Sequence, residues 1–217
     1  MPATAMTFDS LLTDMRRYLE RGTVEDSEVY NQLPSLINLT ERDLATKLKI
    51  LGNKNVVTST MVAGTAVYAK PDRWRETCSF NFGVGTPPLQ NRTPLYPRSY
   101  EYCNMYWPNR DERDVPLFYG DYDYQHWIIV PTPVASYPFE VLYWQLLPLL
   151  SDENQQNFWT DYAPQVLLYG TLIQAAPFLK DDAEFQRWVT MYGDQLKSLG
   201  AQDLQGQTDN TDARKET

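Results

Sequence analysis

A single histidine and two cysteines in 217 residues leave little from which to build a metal centre, a redox pair or a histidine-based catalytic site. Cys78 and Cys103 lie far apart, with no Cys-x-x-Cys spacing and no histidine cluster beside them. Two small buried hydrophobic side chains are the expectation, rather than a disulfide or a metal site. No apolar run reaches the roughly 20 residues of a membrane-spanning helix. The nearest, residues 139–150, is broken by Glu140, Gln145 and Pro148. Basic residues are also in deficit: the net charge of −9 argues against sequence-independent nucleic-acid binding, which Lys and Arg perform on phosphates. The first six residues carry no charged side chain and the amphipathic pattern starts at once. No signal peptide is expected, and synthesis in the cytoplasm is.

Catalytic signatures are missing too. Gly83-Val84-Gly85 has no helix pattern after it, so neither a P-loop nor a dinucleotide fingerprint is present. There is no Gly-x-Ser-x-Gly, no His-Glu-x-x-His and no kinase motif. Asp111, Glu112 and Asp114 are interleaved with Arg110 and Arg113 and fit no EF-hand; a solvated loop explains them. His126 has Asp121 and Asp123 near it in sequence, but a general base needs a partner and a cleft, and a structural histidine at the edge of a strand is favoured. No catalytic, cofactor-binding or metal-ligating residue is expected, and no enzyme.

Aromatic residues are plentiful: six Trp, fifteen Tyr and eight Phe. They serve either an aromatic core or a protein–protein contact. Around them the pattern is helical at both ends. Thr7 is an N-cap for a helix burying Phe8, Leu11, Leu12, Met15, Tyr18 and Leu19, with Gly22 as its stop. A second helical region begins near Asp26, restarts at Pro34 and carries Leu36, Ile37, Leu44, Leu48 and Leu51 to Gly52. Its opposite face, with Glu41, Arg42, Asp43, Lys47 and Lys49, reads as solvated.

From residue 53 the period changes. Val56-Val57, Ala66-Val67-Tyr68 and residues 74–82, 117–119, 126–130 and 139–144 are short β-branched or aromatic runs. Eleven of the fifteen prolines fall between Pro71 and Pro148, which excludes long helices there. Residues 99–107 break the strand pattern and read as a helical turn. After Pro148 helix returns: residues 157–179 are apolar, with Pro164 opening a helix, Pro177 ending it near Ala176, and Gly170 either weakening it or marking a close contact. A last helix opens at Asp181 and Asp182, carries Phe185, Trp188, Val189, Tyr192, Leu196 and Leu199, and ends at Gly200.

The expected fold is α+β. Residues 1–52 and 150–199 supply the two halves of a four-helix bundle, residues 53–149 an inserted β-rich, sandwich-like domain, and residues 200–217 an extended, flexible C-terminal tail.

In this order the chain carries Thr7-Phe8-Asp9-Ser10-Leu11-Leu12, Leu33-Pro34-Ser35-Leu36-Ile37 with Glu41-Arg42, and Tyr68-Ala69-Lys70-Pro71-Asp72-Arg73-Trp74-Arg75. Arg98-Ser99-Tyr100-Glu101-Tyr102, Val130-Pro131-Thr132-Pro133, Tyr162-Ala163-Pro164 and Leu168-Tyr169-Gly170 follow. With these motifs, over residues 7 to about 195, it resembles the head-to-tail adaptor (connector) proteins of tailed bacteriophages, and is similar to the upper tail tubular proteins of short-tailed phages. The resemblance implies a virion structural protein forming a ring, commonly of twelve copies, between the portal and the next tail component. It implies passage of genomic DNA through the ring without specific binding, and a C-terminal segment lodged between portal subunits. In this chain that segment offers Leu204, Gln205, Gln207, Asn210, Arg214 and Lys215 to the portal. No cofactor and no membrane contact are implied. The alternative from another class is a glycan-binding module whose Trp74, Tyr100, Tyr102, Trp107 and Trp127 stack on sugars. A hydrolase built on His126 is a third reading.

Overall fold

The structure is a computed structural model that describes residues 6–20, 27–84, 91–179 and 182–212; residues 27, 84, 177–179, 182–184 and 202–212 are described by their backbone alone. It divides into a helical unit, Met1–Asn53 with Leu147–Thr217, and a β unit, Lys54–Leu146.

In the helical unit, α1 (Phe8–Leu19) is opened by a capping box: Thr7 Oγ1 accepts from Ser10 N–H at 3.1 Å and Ser10 Oγ from Thr7 N–H at 2.8 Å. Phe8, Leu11, Leu12, Met15 and Leu19 are buried, while Tyr18 is exposed. The helix ends at Glu20 in the left-handed conformation, φ 51°, before the expected stop at Gly22, which lies outside the described residues. Pro34 does not start a new helix. α2 is continuous over Ser27–Lys47 with Pro34 inside it. An interior proline costs about 3 kcal/mol, but Leu33, Leu36 and Ile37 beside it are all buried, at about 1.5–3 kcal/mol each. Packing therefore overrides the local preference. α2 ends five residues short of Gly52, which falls in a separate 3-10 turn, Leu51–Asn53.

α4 (Phe158–Tyr162) is capped by Asn157, whose side chain accepts from Trp159 N–H. Pro164 opens α5 (Pro164–Leu179) as expected, and the helix continues through Pro177. α6 runs over Asp182–Asp212, through the expected stop at Gly200 and into the stretch read as an extended tail. The four amphipathic helices closing on one another are not shown. α5 is apolar on all sides, as a central helix must be, and α1, α2, α4 and α6 all pack on it. Gly170 of α5 marks a close approach: a Cβ there would lie 2.6 Å from Thr40 Cγ2 of α2 and 3.0 Å from the Tyr192 ring of α6.

Glu41 corrects the reading of α2's charged face. It is 3% exposed. Oε2 accepts from Leu150 N–H at 3.0 Å, and Oε1 accepts from the Asn157 amide. Asn38, turned so that both its amide groups are satisfied, donates to Leu150 O at 3.1 Å and to Glu41 Oε2 at 3.2 Å. Burial raises the Glu41 pKa above its usual 4.5, more than the Leu150 and Asn157 donors lower it.

The β unit is one curled, nearly closed seven-stranded sheet. Its strands are β1 (Lys54–Met61), β2 (Val67–Ala69), β3 (Trp74–Val84), β4 (Asn91–Pro97), β6 (Phe118–Asp121), β7 (His126–Val130) and β9 (Tyr137–Gln145), in the order β1-β9-β3-β4-β6-β7-β2. Short β5 (Arg113–Asp114) and β8 (Thr132–Pro133) pair separately. Two stacked sheets are avoided because β4 changes partner: residues 91–95 pair with β3 and residues 96–97 with β6. Pro94 and Pro97 hid this strand from the sequence. Phe80 centres the core, with ring centroids 5.1–5.4 Å from those of Phe139, Tyr119 and Trp127. Residues 99–107 form the expected helical turn, α3 (Tyr100–Tyr106), capped by Ser99. Cys103 of α3 is buried as expected, whereas Cys78, on β3, is exposed instead; both are free thiols.

Glu41→Ala strands the Leu150 N–H and the Asn157 amide and is expected to cost about 3 kcal/mol in urea denaturation. Because its folded pKa is raised, Glu41 makes stability fall as pH rises from 4.5 towards the folded value; the Ala variant should lose that slope. Gly170→Ala gains about 1 kcal/mol of helix propensity and loses about 1–3 kcal/mol to overpacking. A lowered denaturation midpoint is expected; a raised one refutes the close contact.

Candidate functional site

The two acids near His126 have separate partners. The β6–β7 turn places His126 Nδ1 2.9 Å from both carboxylate oxygens of Asp123, and this contact lowers the Asp123 pKa. Asp121 instead meets Lys70 Nζ at 2.7 Å. Lys70, just beyond β2, has a side chain only 2% exposed. Its ammonium also donates to Asp123 O at 2.9 Å and lies 3.5 Å from the centre of the Trp74 ring. Its backbone N–H donates to Gln125 O at 2.7 Å. Lys70 is thus a clamp, fastening the end of β2 to the β6–β7 turn and to the start of β3. An open hollow of about 240 Å³ lies in the helical unit beside Tyr162, Pro164 and Leu199. Another of about 330 Å³ lies over Lys70, Trp74, Tyr124 and His126. In the latter, Lys70, Trp74, Tyr124 and His126 are each engaged by a neighbour. The acids Asp111, Glu112 and Asp114 are exposed, and no group of His, Cys, Asp and Glu able to hold a metal occurs among the described residues. Gly83 lies inside β3; Gly85 is outside the described residues.

The five aromatics assigned to sugar stacking split up. Trp127 is 0% and Trp74 9% exposed, and both indole N–H groups donate to one acceptor, Thr77 Oγ1, at 3.0 and 3.1 Å. Those two rings belong to the core. Tyr100, Tyr102 and Trp107 gather instead around α3. Tyr102 stacks on Tyr106 at 6.1 Å and meets Phe118 edge-on, and the Arg98 guanidinium lies 5.4 Å from the Tyr102 and Phe118 rings. Arg110 reaches Tyr100 OH at 3.4 Å and Asn104 Oδ1 at 3.3 Å, and covers Tyr122. The Asn104 contact first, then Arg110, lowers the Tyr100 pKa. Met105, Tyr106, Leu117 and Tyr122 are exposed, Met105 to 77%. Tyr, Met and Arg grouped in this way have the composition of a protein–protein contact. Aromatic density over residues 96–107 was its signal in the sequence, but only the fold separates these rings from the core set.

The residues assigned to portal contact are not brought together. Leu204, Gln205, Gln207 and Asn210 fall on α6, in the part described by backbone alone, and Arg214 and Lys215 lie outside the described residues.

An α+β chain with clamped polar groups inside and Tyr, Met and Arg outside is built to make contacts. The chain belongs to the SU10 adaptor protein family, whose model matches residues 6–215, and is thus a phage adaptor and a structural protein. No curated protein matches it. No helix among the described residues is long and apolar enough to cross a membrane.

Lys70→Met keeps the aliphatic stem but leaves Asp121 and the Asp123 carbonyl without their cation. A loss of about 2 kcal/mol is expected in urea denaturation, and an unchanged midpoint refutes the clamp.

Proposed function

We propose that the protein is the head-to-tail adaptor of a tailed phage, similar in role to the upper tail tubular proteins of short-tailed phages. Copies, twelve in number, form a ring that joins the portal to the tail nozzle or tail tube and lines part of the channel through which DNA leaves. The ring is assembled in the host cytoplasm and resides at the head–tail interface of the virion. Its work is structural, without catalysis or cofactor.

The match of one adaptor family over residues 6–215 carries this reading. The long α6 supports it: past Leu199, which packs on the helical core, the helix continues to Asp212, about 20 Å further at 1.5 Å per residue. This stretch of sequence holds Leu204, Gln205, Gln207 and Asn210, followed by Arg214 and Lys215, the residues that this reading assigns to the portal. The net charge of −9 suits a wall past which phosphates slide.

The purified protein mixed with its portal is expected to give a ring visible by electron microscopy, and a chain lacking residues 201–217 is expected to give none. Unimpaired rings from the truncated chain would sink the docking role of α6. A full-length chain that never engages the portal would sink the adaptor reading.

A further inference from the structure

One edge of the β unit lacks the usual defences against pairing. β1 lies at the end of the strand order, and among the described residues its only ladder partner is β9. Exposed edges normally carry charge, proline or a bulge that keeps other strands away. From Asn55 to Met61 the chain reads Asn-Val-Val-Thr-Ser-Thr-Met, with no charge, no proline and no glycine. The register with β9 is unbroken from Lys54 to Met61, so there is no bulge either.

Along this edge of the nearly closed sheet, most described side chains of β1 are exposed on both faces of the strand. Val57 and Met61 stand opposite Val141 and Tyr137 and share the core-facing side with Asn55 and Ser59. Met61 is buried there, but Asn55 and Ser59 are exposed. On the outer side Val56, Thr58 and Thr60 are exposed as well.

Backbone direction follows from one contact. Val56 N–H donates to its neighbour's side chain, Asn55 Oδ1, at 2.8 Å, so it points away from β9. Groups on alternate residues of a strand point the same way, so the N–H and C=O of Thr58 and Thr60 also face the open edge.

The geometry points to β1 of a second copy of this chain as the occupant, paired antiparallel across a twofold axis to form a dimer in solution. The segment suits its own copy. It has the β-propensity, low charge and absence of proline and glycine typical of self-pairing strands. A dyad near Thr58 sets Thr58 against Thr58 and Val56 against Thr60, without opposing like charges; Val56 N–H then exchanges its bond to Asn55 Oδ1 for one to the second copy's Thr60 C=O. Two chains of net charge −9 repel each other over most of their surface, and this uncharged strip is where they approach at least electrostatic cost. The dimer is independent of the ring: it is isologous, whereas neighbours in a ring meet head to tail.

Sedimentation equilibrium of the full-length chain tests the pairing. The mass should move with concentration from the 25.2 kDa of one chain towards twice that value. Amide hydrogen exchange at Thr58 and Thr60 should slow over the same range. Thr58→Pro removes an N–H that faces the open edge and leaves the β9 ladder intact; it should weaken dimerisation by about tenfold or more. If circular dichroism shows that the proline variant does not fold, Thr58→Lys, which keeps every backbone group, decides the question with the same expectation. A wild-type chain that stays at 25.2 kDa at every concentration overturns the inference. So does a folded Thr58 variant that dimerises as tightly as wild type, or a dimer whose Thr58 and Thr60 amides exchange no more slowly than the monomer's.

Discussion

The helical unit depends on one buried carboxylate. Its first part ends before the β unit begins and its second part starts after the β unit ends, so two distant stretches must recognise each other. Glu41 makes that connection, taking the Leu150 N–H and the Asn157 amide from the returning chain. Burying a carboxylate costs several kcal/mol unless its lone pairs are filled, and here three donors converge, with Asn38 from the same helix as Glu41. The Asn157 that donates to Glu41 also caps α4, and α4 leads directly into α5. One ionisable side chain therefore anchors the cap of the short helix that precedes the central one. α5, apolar on every side, then has no register of its own to enforce; the Gly170 contact with Thr40 and Tyr192 supplies one.

The β unit solves the same problem with aromatic rings and a cation. Phe80 holds the curled sheet from within, Thr77 receives two indole N–H groups on one hydroxyl, and Lys70 pins the β6–β7 turn while shielding the Trp74 face. With these groups occupied internally, the rings about α3 stay available to a partner. That division explains how an aromatic-rich chain serves both a core and a contact surface, and it removes two of the rings a sugar site would need. Membership in an adaptor family agrees with an exterior of Tyr, Met and Arg.

Much of this architecture was legible in the sequence because local signals and packing agree. Thr7 and Pro164 start helices where their backbone chemistry favours it, and residues 99–107 form the helical turn in the β region. The failures come where tertiary packing outweighs a local rule. Pro34 sits inside a helix because buried aliphatics surround it. Pro177 and Gly200 fail to end theirs. Glu41 looked solvated because periodicity cannot show which of several charged residues will meet a returning segment. β4 was missed because its two prolines mask a strand that changes partners. The contact surface was visible only as aromatic density, since core and exposed rings share the same residue types. The portal-contact residues on α6 rest on resemblance and on the reach of that helix, not on a geometry that gathers them.

The register Lys54↔Trp144 has a consequence for how the chain folds. The β unit begins and ends in two adjacent antiparallel strands, so Lys54 and Trp144, close to its ends, are held about 5 Å apart. An unstructured excursion of the same length, Lys54–Leu146, would charge the helical unit about 4 kcal/mol in loop-closure entropy before α2 could meet α5. Once the sheet has formed, that cost is already met, and the helical unit assembles as though a hairpin turn joined its two halves. Contacts remote in sequence become effectively local, and the inserted sheet acts as the clasp that makes a discontinuous helical unit fold as a continuous one.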